Sequence, residues 1–235
     1  MQPDEKTGAR RERMAADQRQ HAILDAAAQI LATHGWDEIT VNEILAAAGI
    51  SKGGFYHHFS SKDDILAALV LRFADAATAA ATAGQGSSGA GFVDRLSAYL
   101  CGSLEWELDH AGEVISIVRL AQRAGNGALF LELARETERR TLPALKEILS
   151  EGLKSGAFEI EDVDMTADLI LRISRTRWLR FIELQDAARA GDRAAALADL
   201  HRRRRAEQQA YERLLDFPSG SIQLPPESAF ERILR

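Results

Sequence analysis

Apolar residues recur at intervals of three and four along almost the whole of this 235-residue sequence, and apolar-polar alternation never extends beyond a few positions. The residues Leu66, Leu69, Val70, Phe73 and Ala77 are one such series. This spacing places side chains on one face of an α-helix, whereas a strand would need a period of two. The sequence therefore predicts an all-α protein.

Composition shifts and glycine-rich breaks divide the helical pattern into parts. We predict four segments: a disordered basic tail over residues 1–13, a helix-turn-helix head over 14–62, a larger helical domain over 63–217 and an irregular tail over 218–235. Within the larger domain, "GQGSSGAG" at 84–91 is predicted to be a loop, and long helices are predicted over 92–109, 113–123, 128–155, 165–188 and 193–215.

Overall charge and cysteine usage limit the class of protein. The net charge of −6 excludes a uniformly basic nucleic-acid coat but not a local basic patch. The single cysteine, Cys101, cannot form an internal disulfide and fits a reducing compartment. The first twenty residues lack the apolar core of a signal peptide, and the apolar run at 65–83 is interrupted by Arg72 and Asp75. We expect a cytoplasmic protein.

The segment between Thr40 and Phe59 has the spacing of two helices joined by a tight turn. Thr40 and Glu43 form the pattern of a capping box before "VNEILAAA". Gly49 suits the left-handed conformation of a helix end, and Ser51 can cap the next helix. This arrangement predicts a helix-turn-helix whose second helix starts after Ser51.

The second helix of this pair has an apolar face and a polar face. With Ser51 as the cap, Phe55 faces the core, while Lys52, Gly53, Tyr56 and His57 face outward, as in a helix that reads the DNA major groove. An alternative is that this segment merely joins two packed helices. Local charge does not decide between them, because residues 10–62 contain six basic and six acidic residues.

The block "ITVNEILAAAGISKGGFYHHFSSKDDIL", residues 39–66, resembles the amino-terminal signature of the TetR family of bacterial transcriptional regulators. The matching parts are the threonine-capped helix, the "AGIS" turn and the ending "YHHFSSK". The second of the two consecutive glycines departs from many members, which carry a side chain there. The resemblance implies a three-helix DNA-binding head, a helical ligand-binding domain, and a homodimer on a palindromic double-stranded DNA operator.

The same resemblance assigns roles to individual residues of the head. It implies phosphate contacts for Thr40 and Lys62, a cap and backbone contact for Ser51, and base or phosphate contacts for Tyr56 and His57. It further implies that Lys52, Gly53 and Gly54 face the groove.

Aromatic and basic residues of the larger domain are candidates for binding a small-molecule effector. Phe92, Tyr99 and Trp106 repeat every seven residues, which is typical of a core but also suits a pocket wall, and Phe130 is a further candidate. For the arginines of this domain, ion pairs with its many acidic residues are the favoured interpretation. The alternative is contact with an anionic effector, for which the predicted partners are Arg119, Arg123 and Arg177.

The helix predicted over 165–188 is apolar nearly all round, so we expect it to be buried against both its own domain and a partner subunit. With the helix over 193–215 it would form half of the four-helix dimer interface that the resemblance implies. The predicted interface residues are Leu171, Trp178, Ile182, Leu197 and Tyr211.

Enzyme motifs are absent from the sequence. "GQGSSG" matches a dinucleotide-binding fingerprint but follows a helix rather than a strand, and no HExxH or CxxC motif is present. No catalytic residues, metal ligands or cofactors are predicted. The sequence predicts a ligand-responsive repressor released from its operator by an effector. The alternatives are a small-molecule sequestering protein with a degenerate head and, less well supported, an enzyme using the central pocket.

Overall fold

The computed structural model describes residues 5–31, 34, 36–83, 91–123 and 126–234. For residues 5–16 and 129 it describes the backbone and not the side chain. Every regular element in these ranges is helical, which confirms the predicted fold class. The chain divides into two compact units, Met1–Arg72 and Phe73–Arg235.

The helices follow one another along the chain with short connections. Their bounds are α1 Glu5–Leu31, α2 Val41–Ala48, α3 Lys52–Tyr56, α4 Lys62–Ala83, α5 Phe92–Asp109, α6 Ala111–Ala121, α7 Gly127–Lys154, α8 Val163–Arg189, α9 Arg193–Leu214 and α10 Glu227–Phe230. Short 3₁₀ segments cover Trp36–Glu38 and Glu231–Leu234.

Helix α1 begins well before the predicted start of the head. Residues 5–13 are helical, so the prediction of a disordered tail over 1–13 was wrong for this part, and residues 1–4 lie outside the described ranges. The segment contains two Glu, three Arg and one Lys, which are good helix formers, and it continues directly into the rest of α1.

The first unit is built on α1 and α2, which pack against each other. Ile23, Ala27 and Leu31 of α1 are buried, as are Ile44 and Leu45 of α2. Further core side chains come from α3, the residues after it and the first turns of α4, namely Phe55, Phe59, Ile65, Leu66 and Leu69. This core fixes the orientation of α3.

Helix α4 is shared between the two units, which divide between Arg72 and Phe73 rather than at the predicted boundary after residue 62. Within the described ranges it alone has the length and hydropathy that a membrane span needs. Its residues Ile65, Leu66 and Leu69 are nevertheless fully buried in the first unit, as in the core helix of a soluble protein. The predicted glycine-rich loop lies outside the described residues, except for Gly91, which precedes α5.

The second unit has two apolar clusters. The first joins α5, α7, the start of α8 and the end of α9, through Leu96, Tyr99, Leu145, Leu149, Ile170, Tyr211 and Leu215. The second joins the other ends of α5, α8 and α9 to α6, through Leu104, Leu108, Ile115, Trp178, Phe181, Ile182 and Leu200.

The residues after α9 complete both clusters. Ile222 and Leu224 belong to the first cluster, and Phe230, Ile233 and Leu234 belong to the second. Residues 218–226 contain no helix, as predicted, but residues 227–234 are helical, so the prediction of an irregular tail over 218–235 was wrong for this second part. The large apolar residues of this segment find partners on α5, α8 and α9 that only the fold brings together.

Candidate nucleic-acid interface

Helix α2 starts at a complete capping box. The Glu43 backbone N–H donates to Thr40 Oγ1 at 3.2 Å, and the Thr40 backbone N–H donates to Glu43 Oε2 at 2.7 Å. The Thr40 hydroxyl also donates to Glu43 Oε2, at 2.8 Å, and the two bonds that Thr40 donates to this carboxylate lower its pKa. The predicted capping box is confirmed, and it fixes where α2 begins.

The turn between α2 and α3 has the predicted geometry. Gly49 ends α2 in the left-handed conformation, with φ of 67°. Ser51 precedes α3 in an extended conformation, and its Oγ accepts a hydrogen bond from the Gly54 backbone N–H at 3.3 Å. A residue with a Cβ at Gly49 would be strained, so the turn angle depends on this glycine.

Helix α3 presents one face to the core and one to solvent. Phe55 is buried, with its ring 6.0 Å from that of Phe59, whereas Ser51, Lys52, Gly53 and His57 are exposed. Tyr56 is the most exposed large side chain here, at 67% of its full accessible surface. Most of the Tyr56 side chain therefore faces water, where a partner molecule can reach it.

The two consecutive glycines of α3 differ in their surroundings. A Cβ on Gly53 would meet nothing within 4 Å, whereas one on Gly54 would lie 3.2 Å from Ile50 Cγ2. Gly53 therefore exposes bare backbone on the solvent face of α3, where a phosphate or base edge can approach closely.

Lys62 is held by a residue that the sequence did not indicate. Its ammonium donates a hydrogen bond to the backbone carbonyl of Trp36 and lies 5.0 Å from the centroid of the Trp36 ring. Burial lowers the pKa of Lys62. In the sequence, the only sign of this contact is the single tryptophan, Trp36, in "HGWDEIT". One donor of the ammonium is used here, and the other two remain for a phosphate.

Two helices at a fixed turn, a buried apolar face and an exposed polar face define a helix-turn-helix DNA-binding protein. Comparison with known sequences and structures is consistent with this class. Residues 23–69 match the domain described as "Bacterial regulatory proteins, tetR family".

Curated relatives extend the match beyond the head. The HTH-type transcriptional repressor KstR2 of Mycobacterium tuberculosis is 29% identical over 163 residues, which cover 68% of this chain and 78% of KstR2. EthR of Mycolicibacterium smegmatis is 40% identical over 63 residues, covering 27% of this chain and 29% of EthR.

Solved structures share the fold. FadR from Bacillus halodurans, a fatty acid degradation regulator, superposes with a TM-score of 0.58 at 22% identity, covering 70% of this chain and 84% of FadR. A TetR-family regulator from Shewanella sp. PV-4 gives 0.55 at 20% identity, covering 77% and 94%. Residues 23–69 therefore form a DNA-binding domain of the TetR family, and the relatives that the chain matches are transcriptional regulators.

The residues predicted to bind an effector are dispersed through the second unit. Phe92 packs on Phe158, with ring centroids 4.6 Å apart, whereas Trp106 stacks on His110 at 4.1 Å. Tyr99 lies in the first cluster, where burial raises the pKa of its phenol to about 12. These rings form parts of packed clusters, so their role in a pocket stays a prediction.

The predicted basic residues also lie apart. Arg119 forms an ion pair with Asp186 at 2.5 Å, which is the ordinary role that the sequence left open. Arg177 is buried, and its Nη2 lies 2.9 Å from Glu207 Oε1. Phe130 is half-buried near the start of α7, and Arg123 follows α6. A groove between α8 and α9 is lined in part by Arg177, but among the described residues it contains none of the other six predicted effector residues.

Three of the predicted dimer-interface residues are covered by their own subunit. Trp178, Ile182 and Tyr211 are 6%, 6% and 1% exposed, so they have no surface left to bury against a partner, and their assignment was wrong. Leu171 and Leu197 are half-buried against the same two clusters. Helices α6, α7 and α9 and the segment after α9 pack against α8, which accounts for its buried apolar residues, whereas Arg172, Arg175 and Glu183 are exposed.

Hydrogen bonds and an ion pair between buried polar side chains link α8 to α5 and to α9. Trp178 Nε1 donates to Glu107 Oε2 at 2.8 Å, and Tyr211 OH donates to Glu207 Oε1 at 2.8 Å. Burial raises the pKa of the Glu107 carboxyl. For Arg177, burial disfavours the charged form, but the Glu207 and Glu107 carboxylates favour it, and the pKa of the guanidinium is raised overall. Within the described residues no cluster of His, Cys, Asp and Glu could hold a metal ion.

Proposed function

We propose that this regulator is a repressor that binds a palindromic DNA operator as a homodimer and is released by a small-molecule effector. The observation that carries the proposal is the solvent-exposed face of α3, where Lys52, Gly53, Tyr56 and His57 lie side by side on a helix whose opposite face is anchored by Phe55. The naming of its relative KstR2 as a transcriptional repressor supports repression over activation.

In the proposed complex, α3 lies in the major groove. Lys52, Tyr56 and His57 reach bases or phosphates, and the backbone at Gly53 approaches the DNA closely. Thr40 at the start of α2 and Lys62 at the start of α4 contact the flanking phosphates. Ser51 acts through the position of α3, since its Oγ already caps that helix.

A homodimer would place two such heads on one face of the DNA, with half-sites about 34 to 36 Å apart. The outward side of α8 and α9 is the proposed surface for the partner. It carries exposed residues such as Leu179, which is 44% exposed, while the inward residues of both helices are already buried. A helical face with exposed apolar side chains suits a self-complementary contact about a twofold axis.

Effector binding in the second unit would be coupled to the head through α4, because this helix continues from one unit into the other. Release requires that the effector bind one arrangement of α4 more tightly than another, with a coupling free energy of about 1 to 3 kcal/mol. As a soluble DNA-binding regulator, the protein is expected to act in the cytoplasm.

Selection of genomic DNA fragments by the purified protein tests the proposal. The informative variant is Lys52→Ala with Tyr56→Ala, which removes two exposed side chains of α3. Lys154→Ala with Met165→Ala is the matched control, because it removes an exposed cation and an exposed apolar side chain from the second unit. We expect the wild type and the control to enrich one palindrome, and the α3 variant to lose it.

Unenriched DNA from all three proteins would reject operator binding. It would favour instead a sequestering protein whose head no longer reads DNA. Addition of candidate effectors to the operator complex then tests release separately, and a complex that no small molecule dissociates would reject only the effector part of the proposal.

A further inference from the structure

Helices α2 and α3 start in the same way but are not equally well capped. Thr40 Oγ1 and Ser51 Oγ each accept a hydrogen bond from the backbone N–H three residues further on. In α2 that residue is Glu43, whose carboxylate accepts a bond from the Thr40 backbone N–H in return. In α3 it is Gly54, which has no side chain to return the bond. Helix α3 therefore begins with half of the capping box that stabilises α2.

The amino acids of α3 favour a helix much less than those of α2. Helix α2 has eight residues and ends in three alanines at 46–48, whereas α3 has five residues, two of which are the consecutive glycines Gly53 and Gly54. Relative to alanine, each glycine raises the equilibrium constant for opening a helix by about two- to fivefold. A helix of little more than one turn does not form by itself in water, so α3 depends on contacts with the rest of the head.

The core of the head holds α3 at one residue. Among the five residues of α3, all of which the structure describes, only Phe55 is buried, whereas α2 buries both Ile44 and Leu45. One buried side chain fixes where a segment lies, but it does not fix the backbone dihedral angles of the residues on either side. Segments with few buried contacts and exposed backbone are the ones that open locally while the rest of a protein stays folded.

We infer that α3 is only partly formed in the free protein and that operator DNA completes it. The inference rests on the proposed function, in which α3 lies in the major groove. Lys52, Tyr56 and His57 lie side by side only while the backbone is helical, so their contacts with bases need the formed helix. Thr40 and Lys62 lie outside α3 and can contact phosphates in either state. Phosphates are present on any DNA, whereas matching bases are present only on the operator, so the ordering of α3 is coupled to base recognition.

This coupling lowers the affinity for the operator. When only a fraction of the free protein has α3 formed, the apparent dissociation constant rises by the inverse of that fraction. An operator complex that is held less tightly is released by an effector of smaller coupling free energy. The two glycines therefore tune how easily the proposed repressor leaves its operator.

Amide hydrogen exchange of the full chain, measured residue by residue by NMR, tests the inference. Phe55 and Ile44 form a matched pair, because each backbone N–H donates to the carbonyl of the cap residue of its own helix, at 3.1 and 3.2 Å. Protection factors, which remove the intrinsic effect of sequence on exchange, are compared in three samples. These are the free protein, its complex with the selected operator, and its complex with a duplex of random sequence at low salt.

In the free protein we expect the Phe55 N–H to be at least about tenfold less protected than the Ile44 N–H, because α3 opens more often than α2. The operator should raise the protection of Phe55 at least about fivefold more than that of Ile44, whereas the random duplex should leave the ratio within about twofold of its free value. Equal protection of the two amides in the free protein would overturn the inference. A ratio that the operator does not change, or that the random duplex changes equally, would also overturn it.

Gly53→Ala is the informative variant, because a Cβ there meets nothing within 4 Å and therefore acts on helix formation in the free protein. Gly127→Ala, at an equally open position on α7, is the matched control. In the free protein Gly53→Ala should raise the protection of Phe55 by about two- to fivefold, and Gly127→Ala should leave it unchanged. Equal protection of Phe55 in both variants would contradict the role given to the glycines.

The comparison of Phe55 with Ile44 in the free protein needs no DNA, so the two possible failures are distinguishable. A fully formed α3 in the free protein rejects this inference and leaves operator binding untouched. Failure to select any operator rejects the proposed function, and the ordering step falls with it.

Discussion

The ammonium of Lys62 lies 5.0 Å from the Trp36 ring centroid and donates a hydrogen bond to the Trp36 backbone carbonyl. This contact joins the first turn of α4 to the 3₁₀ segment that precedes α2, and therefore brackets the helix-turn-helix at both ends. A residue expected only to contact phosphate thus also stabilises the head.

Replacing Lys62 by Met should lower the free energy of unfolding by about 1 to 2 kcal/mol, because a cation–π contact and a charged hydrogen bond are lost together. Urea denaturation measures this change. Lys154→Met, at an exposed position on α7, is the control and should stay within about 0.5 kcal/mol of the wild type. Equal stability of the two variants would mean that the Trp36 contact contributes nothing.

The capping box of α2 predicts that the stability of the protein depends on pH in the acidic range. The pKa of Glu43 is lowered below its ordinary value of 4.5 by its bonds to Thr40. A carboxylate whose pKa is depressed by folding adds stability above its unfolded pKa, and this stability disappears as pH falls through the folded pKa. Glu43→Gln retains an acceptor but cannot titrate, so its deficit relative to the wild type should be largest near neutral pH and shrink below pH 4.5. Thermal melts between pH 7 and 3 measure it, and a deficit that does not change with pH contradicts the prediction.

Replacing Gly53 of α3 by alanine should raise the stability of the head but weaken DNA binding, and Gly54 should tolerate alanine less well. Gly53→Ala should stabilise the head, by up to about 1 kcal/mol, since alanine favours the helix and its Cβ meets nothing within 4 Å. It should nevertheless weaken operator binding by about tenfold if the backbone here approaches DNA. Gly54→Ala gains less stability, because Ile50 Cγ2 must yield to a Cβ at 3.2 Å. Melting temperatures and fluorescence anisotropy on the selected operator separate the two effects, and unchanged affinity of Gly53→Ala would exclude a close approach.

Gly152 on α7 lies where two aromatic rings meet. A Cβ there would be 2.3 Å from Phe158 Cε1 and from Phe92 Cδ2, so Gly152→Ala should destabilise the second unit by about 1 to 3 kcal/mol. Gly127→Ala on the same helix has open space around it and should be neutral or mildly stabilising. Adding Phe92→Leu to Gly152→Ala should recover part of the loss, as measured by urea denaturation. The overpacking explanation fails if Gly152→Ala is as stable as Gly127→Ala.

Removing Arg177 from its ion pair with Glu207 should strongly lower the free energy of unfolding, and a second substitution at Glu207 should restore part of the loss. Arg177→Met removes the cation that pairs with Glu207, whose side chain is 9% exposed, and should cost about 3 to 5 kcal/mol. Adding Glu207→Gln removes the uncompensated charge while leaving an acceptor for Tyr211 OH, and should restore part of this energy. A double-mutant cycle in urea gives the coupling, and additive losses would show that the two groups do not interact.

The sequence by itself determined the helical class and the local geometry of the head. Thr40, Glu43, Gly49 and Ser51 act on backbone groups three or four residues away, so their roles follow from spacing alone and agree with the structure. The same holds for the burial of Phe55, which follows from its place on the helix after Ser51.

Only the tertiary structure decided which apolar faces meet. Trp178 and Ile182 are buried by residues far away in sequence, including Phe230 and Ile233, which the chain brings back after α9. Tyr211 is buried in the other cluster, with Leu96 and Leu145. Pairing of Lys62 with Trp36, and the gathering of arginines from α8 and α9 into one groove, arise in the same way. Hydrophobic periodicity indicates that a side chain is buried, but not by which surface, because the hydrophobic effect has no direction and its partners are chosen by the packing of the whole unit.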